Sequence, residues 1–131
     1  MKLEKLSKYS PIFLRTGIAI VFLWFGFSQL KDPTGWFRVI PAYATSLTHL
    51  SQTVIIYLNC TFEIVFATLL LIGFFTRTSS FLLFLHIIHI TVSLGYGPVG
   101  VRDFSLAIAT LAIFLHGADE FCIDKLRRRK K

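Results

Sequence analysis

The chain has 131 residues, 54% of them hydrophobic and only 16% charged, against roughly 25% charged residues in an average soluble domain, and its mean hydropathy is +0.66. Fourteen phenylalanines in so short a chain suit lipid better than water as solvent, so the composition argues against a soluble globular domain and for one integral membrane domain over residues 1–131. The net charge of +7 collects at the ends, in Lys2, Lys5 and Lys8 and in the tail 125–131, KLRRRKK. On a membrane protein such a tail is an anchor against acidic headgroups, and nucleic-acid binding is set aside. The two cysteines, Cys60 and Cys122, form no C-x-x-C and no zinc spacing, so no metal centre is expected.

The first span is expected at 12–30, IFLRTGIAIVFLWFGFSQL, a length of roughly 28 Å that matches the hydrocarbon thickness. Steps of three and four residues from Arg15 meet Ala19, Phe22, Gly26 and Gln29, a stripe of mostly small or polar residues that should face the bundle. Residues 31–52 carry Pro33, Gly35 and Pro41, which break a helix. Trp36, Phe37, Ile40 and Tyr43 fit a short segment lying at headgroup level.

The second span, 54–75, carries Glu63 near its middle, with Asn59, Cys60 and Ala67 on the same face. An ionisable group at that depth costs at least ~2–3 kcal/mol unless it faces the bundle interior or water. Thr76 and Arg77 are expected to form a tight turn into the third span, 78–96, where His86 and His89 lie one turn apart. Residues 95–103, GYGPVGVRD, read as a turn, which leaves a short fourth span at 104–118 with His116 near its end. An even number of spans puts both ends on one side, and their positive charge makes that side cytoplasmic.

Depth counting along the spans suggests an Arg15–Glu63 pair, with His86, His89 and His116 completing one buried polar cluster. Three readings compete for it. A proton or quinone site would use Glu63 as the proton-handling carboxylate, Arg15 as its counter-ion and the histidines as quinone ligands or polar lining. A metal or haem site would use imidazole and carboxylate donors, although two histidines at i, i+3 are a weak metal signal. A self-neutralising pair would simply lock helix register.

The order of certain motifs resembles the DoxX family. Arg15-x-Gly17 and the run from Gly26 through Asp32 and Pro33 (GFSQLKDP) are similar to that family's first helix and loop. Glu63 followed by LLLIGFFTR, with Gly73 and Arg77, resembles its second helix and turn; Arg102-Asp103 and the stretch GADEFCID ending at Asp124 resemble its close. Gln29 stands where the family usually has lysine, and Asp119 stands in place of a glycine, which offers Arg77 or a C-terminal basic residue a carboxylate partner. The resemblance implies an all-α four-helix transmembrane bundle, multi-pass in the cell membrane of a bacterium or archaeon. It also implies a small or accessory subunit of a quinone-linked redox system, with quinone as the candidate cofactor. The bilayer, a membrane redox subunit and a second copy in a homo-oligomer are the partners considered. The alternatives are a non-catalytic scaffold or receptor that recruits a partner through the outer loops, and a small-solute transporter.

Overall fold

The computed structural model describes residues 6–129. Lys2, Lys5, Lys130 and Lys131, which contribute to the basic ends, lie outside them. Helix α1 spans Ser10–Lys31, a 3-10 turn covers Thr34–Val39 and a short α2 covers Ala42–Thr48. Three long helices follow, α3 at Gln52–Ile72, α4 at Thr76–Leu94 and α5 at Pro98–His116, and α6 closes the chain at Ile123–Arg129. Among the described residues there is no strand, and four helices, α1, α3, α4 and α5, are long and apolar enough to cross a membrane.

Local chemistry sets the boundaries. The Ser51 hydroxyl accepts from the Val54 N–H and starts α3 two residues before the expected span. Gly73, at φ +73°, ends it: the Gly73 N–H returns to the Leu70 carbonyl and the Phe74 N–H to Leu69, a glycine-dependent close. The turn is therefore at 73–75, and Thr76 and Arg77 already belong to α4, contrary to the sequence expectation. The segment 95–103 is likewise corrected. Pro98 occupies the first turn of α5, where its missing N–H costs nothing, so this helix runs 19 residues and is not a short span.

The bundle is built as two tight pairs. Helix α4 packs most extensively on α5 and α1 on α3, and thinner α3–α4 and α1–α5 seams join the pairs into a ring. Phe22, Ala19, Ala67, Leu70, Leu83 and Ala107 are fully buried at its centre. Gly26 makes the α1–α3 approach close, since a Cβ there would fall 2.6 Å from Ile64 Cγ1 and 3.2 Å from the Cys60 carbonyl. Large apolar side chains such as Phe13, Trp24, Phe27, Leu58 and Leu115 point outward, as a lipid-facing surface requires.

The two ends of the bundle are finished differently. At the loop end, Asp32 accepts from the Thr34 hydroxyl and the Gly35 N–H, and the Thr34 hydrogen bond in particular holds its carboxyl below the usual range. The Trp36 ring rests 5.8 Å from that of Phe25. Arg102 chelates the buried Asp103 at 2.8 Å while lying 5.1 Å from the same Phe25 ring. At the end carrying both termini, the Asp124 carboxylate accepts from the N–H groups of Phe75 (2.9 Å) and Thr76 (2.7 Å), capping α4. That contact fixes Phe75 in the left-handed region at φ 50°. Cys122 packs directly beneath Gly73, and burial pushes its thiol pKa up.

Candidate functional site

Of the five polar residues expected in one cluster, Glu63 and His86 meet, while Arg15, His89 and His116 lie elsewhere. Arg15 does not meet Glu63. Its Nε donates to Asp119 Oδ2 at 2.6 Å, and its Nη1 donates to the carbonyls of Leu70 (2.7 Å) and Leu71 (2.5 Å). Those carbonyls belong to the last turn of α3, where backbone acceptors lack helical partners and the helix dipole favours a cation. Leu70 lies two turns from Glu63, roughly 10 Å of helix rise. Asp119 outcompetes Glu63 because it lies at Arg15's own depth. It also takes the place expected for a partner of Arg77: Asp119 neutralises Arg15 instead. Burial raises the Asp119 carboxyl, but the Arg15 hydrogen bond and the Phe121 N–H outweigh it and leave its pKa below the usual range.

Glu63 is 2% exposed and gathers a different set of partners. Gln29 Nε2 donates to Oε2 at 2.7 Å, Asn59 Nδ2 approaches Oε1 at 3.3 Å, and His86 Nε2 lies 3.1 Å from Oε1. Asn59 also donates to Gln29 Oε1 at 2.7 Å, which closes the ring of polar groups. Helices α1, α3 and α4 each contribute to it. Among the described residues no lysine or arginine pairs with Glu63. Among the described residues the only buried side-chain N or O without a partner is Ser79 Oγ, which lies outside this ring, so the ring is internally satisfied.

His89 stands one turn beyond His86, exposed, and bonds the Tyr43 hydroxyl of α2, which also lies 3.4 Å from Ser93 Oγ. His116 is exposed at the opposite end. It borders a cavity of about 200 Å³ between α1 and α5, with Leu14, Ala112 and Ile113 as walls and Arg15 and Asp119 behind. Among the described residues no group of three or more His, Cys, Asp and Glu is placed to hold a metal.

The residue types therefore define a multi-pass integral membrane protein with two amides and an imidazole around one intramembrane carboxylate. The DoxX family profile matches residues 10–95, which covers α1 to α4, and the chain belongs to the DoxX family. Helix α5 and the residues Asp103, His116, Asp119 and Asp124 lie beyond the matched stretch. No curated protein and no solved structure matches the chain.

Gln29 and Asn59 are the partners that sequence reading did not assign to Glu63. Asn59 lies four residues before it on the same helical face, and Gln29 lies on the bundle-facing stripe of α1, so both signals were present in the spacing. Tyr43 on His89 carried no such signal, because no helical period connects a residue of the short α2 to α4.

Proposed function

We propose that this protein is a small membrane subunit or accessory of a quinone-linked redox system, with Glu63 and His86 as its proton-holding pair. The observation that carries the reading is the partner set of Glu63: two amides and an imidazole, with no lysine or arginine among the described residues. A carboxylate and an imidazole 3.1 Å apart can hold one proton between them as acid plus neutral imidazole, or as carboxylate plus imidazolium. Both forms are neutral overall, so the proton can shift without creating a net buried charge. Gln29 and Asn59 keep the carboxylate oriented in either form. His89, Tyr43 and Ser93 continue the polar groups from His86 toward the loop end. Arg15 serves as the counter-ion of Asp119, not of Glu63.

The cavity at His116 fits a quinone head group: its walls are apolar and His116 offers an imidazole N–H to an acceptor oxygen. A bound quinone would supply two-electron, two-proton chemistry. The chain's own contribution there is an apolar slot facing the bilayer, closed behind by the neutralised Arg15–Asp119 pair. We place both termini in the cytoplasm of a bacterium or archaeon, on the strength of Lys8 and the basic tail.

Native mass spectrometry of the protein, extracted in mild detergent from its own membrane, tests the reading. A co-purifying quinone or oxidoreductase subunit is expected. A chain carrying only phospholipid, from membranes known to contain quinone, would overturn it.

A further inference from the structure

A second feature shares only His116 with that reading. At the end carrying both termini, the α3–α4 turn, the end of α5 and helix α6 enclose an open groove of about 720 Å³, lined by Arg77, His116, Lys125, Arg127 and Arg128. The single carboxylate that lines it, Asp124, already accepts from the Phe75 and Thr76 N–H groups. Lys125 is paired with Glu120. Among the described residues no carboxylate pairs with Arg77, Arg127 or Arg128. Arg77 is also set in place, because its guanidinium packs directly over Gly117, where a Cβ would fall 2.7 Å from Nε. Three guanidinium groups thus converge on one recess with little to neutralise them, an arrangement suited to phosphate oxygens.

The surroundings of the groove say where that phosphate comes from. Phe75, which lines the groove, is 57% exposed, and Leu126, next to Lys125 and Arg127 on α6, is 49% exposed. The recess also lies at the ends of three membrane-length helices, the level of the headgroups. Apolar side chains for the acyl boundary beside guanidinium groups for the headgroup are the signature of an interfacial surface. We infer that this groove is a binding site for the phosphodiester headgroup of an anionic phospholipid, with the best fit to a lipid carrying two phosphates.

The full chain in detergent, titrated by native mass spectrometry with a diphosphatidylglycerol or with a phosphatidylcholine of matched acyl chains, tests this. Selective retention of the two-phosphate lipid is expected. The variant Arg77→Gln/Arg127→Gln/Arg128→Gln should bind it roughly a hundred-fold more weakly, about five-fold per cation removed. The control Lys31→Gln/Arg38→Gln, on the loop end, should leave it unchanged. If Arg77→Gln impairs folding, the pair Arg127→Gln/Arg128→Gln on the exposed face of α6 should still cost roughly 25-fold. Equal retention of the zwitterionic lipid would overturn the assignment, as would undiminished binding by the α6 pair. Displacement of the lipid by millimolar inorganic phosphate would assign the groove to soluble phosphate instead and would overturn it too.

Discussion

Asp119 and Glu63 are both buried acids, and each spans one of the two thinner seams of the bundle. Asp119 meets a guanidinium at 2.6 Å across the α1–α5 seam, while Glu63 meets an imidazole at 3.1 Å across the α3–α4 seam. The first pair carries fixed charges, since arginine does not give up its proton, and it also ties down the end of α3. The second, in the function proposed above, would share a proton that can change owner. The same residue class thus meets a permanent cation in one place and a titratable imidazole in the other, and the partner decides what chemistry each acid can do. The presence of a buried acid in a membrane bundle is therefore a poor guide to function until its partner is known.

The largest effect should come from breaking the fixed pair. Arg15→Met leaves Asp119 buried without a counter-charge and strips the donor from the Leu70 and Leu71 carbonyls, a loss of about 3–5 kcal/mol. Cys60 and Cys122 are both free and buried, so a thiol-reactive dye reports thermal unfolding directly. Adding Asp119→Leu to Arg15→Met should restore most of the loss, because a well-packed apolar pair can replace a buried ion pair. The same pair predicts the acid response. Asp119's carboxyl is lowered in the folded chain, so its contribution is complete above the unfolded aspartate value of about 4 and disappears as pH falls through the folded value. The double variant should lose this acid-dependent component. If Arg15→Met is as stable as the parent, the distinction between the two acids collapses.

Next in size is Asp124→Ala, which uncaps α4 and releases the left-handed Phe75, at a cost of about 1–2 kcal/mol. Asp124→Asn should recover part of that, because the amide oxygen can still accept one of the two N–H groups. The same dye assay separates the two variants.

What the sequence made legible follows the helical period. The four membrane helices and the bundle-facing placement of Arg15, Glu63 and Gln29 are all readable from residues three and four apart. The Arg15–Glu63 pairing failed because depth counting treated only the spans, and Asp119 enters from the connection after α5. Turn chemistry was half legible. Gly73 closes α3 as a glycine near a helix end should, but reading GYGPVGVRD as a loop overlooked that proline is favoured in a first helical turn. Tyr43 on His89 and Asp124 on the start of α4 join residues 46 and 48 apart, contacts that no local pattern encodes.

Glu63→Gln sharpens the comparison from the other side. Glutamine copies the protonated acid: its amide can donate to His86 Nε2 while its oxygen still accepts from a neighbouring amide. The stability cost should be about 1 kcal/mol or less, well below that of Arg15→Met. Infrared difference spectra should show the loss of the carboxyl signal that belongs to Glu63, and turnover with a redox partner should stop. A cost equal to that of Arg15→Met would make Glu63 a second fastening.

The smallest effect on stability belongs to Tyr43→Phe. Tyr43 is 46% exposed and its hydroxyl bonds an exposed His89, so removing it should change stability by about 0.5 kcal/mol at most. If protons reach the Glu63–His86 pair from the loop end, the variant should nevertheless slow hydrogen–deuterium exchange at Glu63, followed through its infrared carboxyl band. Slower exchange with unchanged melting places Tyr43 on the route to the proton site. Unchanged exchange would show that Tyr43 only docks α2, and that the proton of the Glu63–His86 pair comes and goes by another path.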